Sequence, residues 1–265
     1  MISEDWGYGP ENGPHLWHKS YSSAGGCSQS PINIDLSQTK YDMTLNLHPL
    51  KICIDSSRTS SQTLVFTGHN FRIDCEGALC ASGGPIPYGQ MYKISQIVFH
   101  WGSTIYGGSE HLINCFQFPC ECQMTCYNAT RYRCFNEAVN KRDGLIILST
   151  MMHIGNKNKT LDRLLGPLTS IHFFKHHDFR QETELLDLKC LLPDCINRYF
   201  TYTGSLTTPP CYETVTWIIF EGSNTISEDQ LNLMQKVHVA DGCNGFDNFR
   251  PVCSLGQRII TRNFV

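Results

Sequence analysis

A succession of short apolar runs, most with a period of two, constrains this chain more than anything else in it. TLVFTGHNFRIDC carries two alternating stretches around Thr67 and Gly68, and YKISQIVFHWGS is strongly β-forming. FQFPCECQMTCY alternates over several residues. GLIILSTMMHIG is a continuous apolar run bounded by glycines, as a buried strand should be, and ETVTWIIFEG is another. Helical signals are fewer and shorter: TLDRLLGPLTSI, and SEDQLNLMQKV with Ser227 placed as its cap. The pattern predicts a mainly β chain with a few short helices (α+β). Residues 1–265 read as one domain, because no repeat, low-complexity segment or linker divides them. The opening WGYGPENGPHLWHKSYSSAGG reads as an irregular arm over residues 1–25. Its Trp6, Tyr8 and Trp17 need a surface to pack on.

The chain has 14 cysteines in 265 residues, a size at which a core does not need covalent staples. An oxidising, extracellular setting accounts for such a count, and the tripeptides Asn128-Ala-Thr and Asn158-Lys-Thr fit it as glycosylation acceptors. Secretion, or an ectodomain, is therefore expected. Met1 is followed at once by ISEDWGYG, without a signal peptide, so an exported chain is expected to be a trimmed, mature form. CECQMTC (120–126) could hold a structural metal, but it lacks paired C-x2-C knuckles, and disulfides are the preferred reading. Cys75 with Cys80, and Cys190 with Cys195, could each close a small loop. A net charge of -3 gives no general pull toward nucleic acid. No apolar run is long enough to span a membrane.

WGYGPENGPHLWHK, QSPINID, FHWGS, GSEH, GSLTTPPC, VTWIIF and NFRP follow one another along nearly the whole chain. In order and spacing they resemble the α-class carbonic anhydrases. The resemblance implies a large, twisted, mostly antiparallel sheet with a conical pocket that ends at zinc. It also implies three histidine ligands, two of them at i and i+2 on one strand and so on one face. Zinc held in this way lowers the pKa of its bound water and makes hydroxide for attack on CO2. The ligand positions here read Val98, His100 and Gln123. Valine binds no metal and an amide oxygen binds zinc poorly, so no zinc cofactor and no catalysis are expected, and the chain resembles a secreted, catalytically inactive member.

The rest of the site is carried over by the same resemblance. His69 falls at the proton-shuttle position, Glu110 and Thr207 at the pair that orients the zinc-bound hydroxide, and Thr208 follows. Gln96 and Glu121 match groups that orient the ligands, Asn248 matches an outer position, and His111 a structural histidine. Thr125, Ile147, Leu206 and Trp217 are expected on the pocket wall. Gln123 is expected to pair with His100 or Glu121, making a neutral floor with Val98. Cys211 matches one half of a disulfide of secreted members, with Cys27 as the expected partner.

Three functions are weighed. The first is an inactive extracellular binding protein whose partner is a protein or a glycan, with NKRD (140–143) and NKNKTLDR (156–163) as mild basic candidates. The second is a carrier that takes a small organic ligand in the metal-free pocket. The third is a hydratase with a rebuilt metal site, which needs a displaced histidine or one of Cys120, Cys122 and Cys126 to join His100. Strand alternation puts those cysteines on the other face unless a bulge intervenes.

Overall fold

The computed structural model describes residues 6–54, 62–67, 69–169, 180–183, 186–237 and 247–265. The first strands are β1 (Asn33–Ile34), β2 (Lys40–Tyr41), β3 (Lys51–Ile54), β4 (Gln62–Phe66), β5 (Phe71–Asp74), β6 (Leu79–Ser82), β7 (Tyr92–Trp101), β8 (Leu112–Ile113) and β9 (Phe116–Gln117). Then come β10 (Cys120–Asn128), β11 (Leu145–Ile154), β12 (Arg180–Thr183), β13 (Tyr199–Gly204), β14 (Val215–Phe220), β15 (Asn224–Ile226) and β16 (Thr261–Arg262). Helices are α1 (Phe135–Ala138), α2 (Lys159–Thr169) and α3 (Glu228–Val237). The expected runs became β4, β5, β7, β10, β11 and β14, and the two helical signals became α2 and α3. Ser227 caps α3 through Oγ, which accepts from Gln230 N at 3.2 Å. Gly68 lies outside the described residues.

The large sheet runs β12-β4-β5-β7-β10-β11-β14-β13-β16-β2, with β6 also on β7, β3 on β6 and β15 on β11. Most pairs are antiparallel; β11 lies parallel to both β14 and β15. One face carries Ile94, Ile97, Phe99 and Trp101 of β7 with Cys120, Cys122, Met124 and Cys126 of β10, all buried in one core. The pairing steps from Thr125↔Gln96 to Cys126↔Ile94, so Ser95 is the extra residue of a bulge. That bulge lets Ile94 and Ile97, an odd distance apart, point into the same core. It leaves the three β10 cysteines behind the sheet, which closes the rebuilt-site route through them.

From Trp6 onward the N-terminal arm is a loop followed by two short 3-10 turns. Trp17 is buried, its Nε1 donating to Gly7 O and Asn12 O at 3.1 Å. The Trp6 ring packs edge-on against it at 5.4 Å and lies 4.0 Å from the ring of His69.

No disulfide is formed among the described residues. The expected Cys27–Cys211 bridge is not formed: Cys27 sits exposed while Cys211 is buried. Cys75 points into the core and Cys80 away from it, so they do not pair, and Cys190 and Cys195 are separate exposed thiols. The acceptor asparagines of both sequons are also buried. Asn128 is fully enclosed, its Nδ2 donating to Gln90 Oε1, Tyr92 OH and Asp143 O. Asn158 caps α2 through Oδ1, which accepts from Thr160 N, and its Nδ2 donates to Cys190 O. A glycan on either nitrogen would have to displace these bonds, so the tripeptides are structural in this fold.

Candidate functional site

The other face of the sheet builds the site as a grid. Across β5, β7, β10 and β11, one row reads Arg72, Val98, Gln123 and Ser149. The next reads Asp74, Gln96, Thr125 and Ile147, and continues to Trp217 on β14. His100 stands opposite Glu121 beside the first row. Residues directly opposite share a face, so Gln96, Val98, His100, Gln123, Thr125, Ile147 and Trp217 lie on one face of the sheet. Leu206, Thr207 and Thr208 follow β13, and Trp217 Nε1 donates to Ser205 O at 3.1 Å, tying that loop's start to the wall. His69 lies near the arm, its carbonyl accepting from Asn248 Nδ2 at 3.5 Å.

His100 is oriented as a metal ligand would be. Its Nδ1 is 2.7 Å from Asn248 O, an atom that only accepts, so Nδ1 carries a proton and Nε2 faces the floor. There Nε2 lies 3.3 Å from Glu110 Oε2. Gln123 Nε2 donates to the same Oε2 at 2.8 Å and to Glu121 Oε1 at 3.0 Å. Two carboxylate acceptors fix which end of the amide is nitrogen. Gln123 thus pairs with Glu121 as expected and with Glu110 rather than His100. Glu110 Oε1 accepts from Arg250 N at 3.0 Å. Among the described residues the Glu110 carboxylate is filled by these groups, and Thr207 takes no part.

Glu121 is the hub beneath. Oε2 accepts from the backbone N–H groups of Glu110 and His111, each at 2.9 Å. Oε1 accepts from Ser149 Oγ at 2.8 Å and lies 2.9 Å from His111 Nδ1, whose other ring nitrogen is 2.7 Å from Tyr202 OH. Burial pushes the Glu121 carboxyl up, but the His111 charge and donors, with His100, outweigh it and hold the group down at about 2. A carboxylate held below its unfolded value adds stability above about pH 4.3, which is lost as pH falls toward 2. Urea midpoints measured across pH 5 to about 2 are expected to fall by the equivalent of about 3 kcal/mol from this group, and Glu121→Gln is expected to flatten the decline.

Two side chains on the site face were not singled out from sequence. Phe71 and Ile73 are buried, so alternation turns Arg72 and Asp74 to the pocket side, where Arg72 Nε donates to Asp74 Oδ1 at 2.7 Å. The FRID run carried that signal. Tyr8 OH is buried with no hydrogen-bond partner among the described residues. Burial first, then the nearby Glu110 and Cys211, push its ionisation well up. Only its place in a folded-back arm reveals it.

The donor set does not fit zinc. Val98 offers no lone pair, Gln123 turns its NH2 to two carboxylates, and His100 is a single imidazole. No group of three His, Cys, Asp or Glu side chains among the described residues is placed to hold a metal.

The family model for the eukaryotic-type carbonic anhydrase matches residues 12–264. Carbonic anhydrase 1 of Mus musculus is 35% identical over 271 aligned positions, covering 100% of this chain and 100% of that protein. Carbonic anhydrase 7 of Mus musculus is also 35% identical, covering 98% of this chain and 97% of that protein.

Proposed function

Since the chain belongs to the eukaryotic-type carbonic anhydrase family, we propose that it keeps that fold without zinc chemistry and acts as a binding protein. One observation carries the reading. The floor is internally satisfied: the Gln123 amide and His100 Nε2 both meet Glu110 Oε2, where a metal-binding site needs free lone pairs converging on one point. The surrounding groups keep the fold's buried polar atoms paired and do not require catalysis. The test is metal content by plasma mass spectrometry on protein purified without chelator or added zinc, with CO2 hydration assayed on the same sample. Metal far below one atom per chain and no hydration above buffer are expected. One zinc or copper per chain with activity overturns the proposal.

The partner proposed is an extracellular protein rather than a glycan. Of the two basic stretches weighed for a glycan, residues 156–163 are partly neutralised within the chain. There Lys157 pairs with Asp162 at 2.8 Å. Location outside the cell rests on the cysteine content alone, because the asparagines of both sequons are buried. No helix among the described residues is long and apolar enough to cross a membrane.

A small organic ligand in the pocket is the second reading. Tyr8 OH favours it, as a buried hydroxyl without a partner that a bound molecule or water could satisfy. Native mass spectrometry separates the two readings: a carrier leaves a discrete mass excess that denaturation removes.

A further inference from the structure

Cys53 of β3 and Cys80 of β6 stand directly opposite each other in an antiparallel pair. Such residues share a face, with Cα atoms about 4.5–5.5 Å apart. That lies inside the roughly 4.4–6.8 Å span a disulfide bridges. Leu79 and Ala81 are buried, so Cys80 turns to the outer side of β6, where it is half-buried, and Cys53 is exposed. Neighbouring thiols are placed differently. Cys75 and Cys126 lie in the core behind the sheet, and desolvation pushes both thiols far up, which makes them poor nucleophiles.

We infer that Cys53 and Cys80 are a redox pair, oxidised to a cross-strand bond by low-molecular-weight disulfides of the glutathione type. The Cys53 thiolate attacks one sulfur of the small disulfide, forms a mixed disulfide and expels one small thiolate. The Cys80 thiolate then attacks Cys53 Sγ and expels the second. The protein dithiol loses two electrons and two protons, and one small disulfide becomes two thiols. Among the described residues β3 pairs only with β6, so the bond clamps an edge strand otherwise held by that pairing and by Ile52 and Ile54 against the core.

The full chain, equilibrated over a range of oxidised to reduced glutathione, tests this. Trypsin with a glutamate-specific protease cuts after Glu76 and separates Cys75 from Cys80. Non-reducing peptide mass spectrometry is expected to find Cys53 linked to Cys80, and the link is expected to vanish on reduction. The thermal midpoint is expected to rise by about 5–10 °C on oxidation. That rise is lost in Cys53→Ser and kept in Cys75→Ser. A Cys75–Cys80 link, or Cys53 that stops at the glutathione adduct at every ratio, overturns the inference. Mapping of the unmodified chain decides the matter even if a variant fails to fold.

Discussion

Val98→His and Gln123→His together are expected to turn a chain that takes up almost no zinc into one that holds a zinc atom per molecule. Only the ligands are missing, not their supports. His100 already presents Nε2 to the floor, with Nδ1 fixed by Asn248 O. Glu121 lies on the same face as position 123, ready to accept from a ring N–H there, and Gln96 is two residues before position 98 on the same face. Three neutral imidazoles bind zinc tightly enough that a Kd below about 1 nM, or about -12 kcal/mol, is reasonable. Without metal, the larger side chain at position 98 overfills the floor and costs about 1–3 kcal/mol. With zinc at 1,000 times its Kd, binding returns about 4 kcal/mol, or roughly a 10 °C rise in midpoint. Metal analysis and thermal melting with and without zinc read this directly. CO2 hydration is expected only in the double variant, since either single change leaves two ligands at most. A double variant that folds and still takes up no zinc would mean that more than two side chains separate this floor from a metal site.

The strand framework was legible because burial on one side imposes a period of two, as in β5, and burial on both sides gives a continuous apolar run, as in β11 and β14. Legibility failed where three-dimensional context decides. The Ser95 bulge leaves no mark in YKISQIVFHWGS, yet it sets which side β7 presents before residue 96. Asn128-Ala-Thr reads as a surface signal, but Asn128 ends a buried strand and its amide is consumed in bonds to Gln90, Tyr92 and Asp143. The cysteine count suggested bridges, whereas Cys120, Cys122 and Cys126 behave as small core side chains facing Phe99, Trp101 and Ile94. In the site, the ligand positions followed from motif spacing. The partner of Gln123 did not, because it depends on a Glu110 carboxylate delivered from a loop across the floor.

Glu121→Ala is expected to be the most destabilising single change in the site. The carboxylate accepts from two backbone N–H groups, Ser149 Oγ and Gln123 Nε2, and meets His111 Nδ1. Removing it strands five donors in a region closed to water. A buried unsatisfied group costs about 1–3 kcal/mol, and part of that is recovered as neighbours shift. A loss of about 5 kcal/mol follows, comparable to the whole stability of many domains. Ser149→Ala removes one donor and leaves the other four in place, so about 1 kcal/mol is expected. Glu121→Gln lies between, since its carbonyl still accepts while its NH2 faces donors. Urea unfolding of the three variants gives the order. If Glu121→Ala loses little more than Ser149→Ala, then Glu121 is not what holds the floor together, and the retained carboxylate would need an explanation from ligand binding instead.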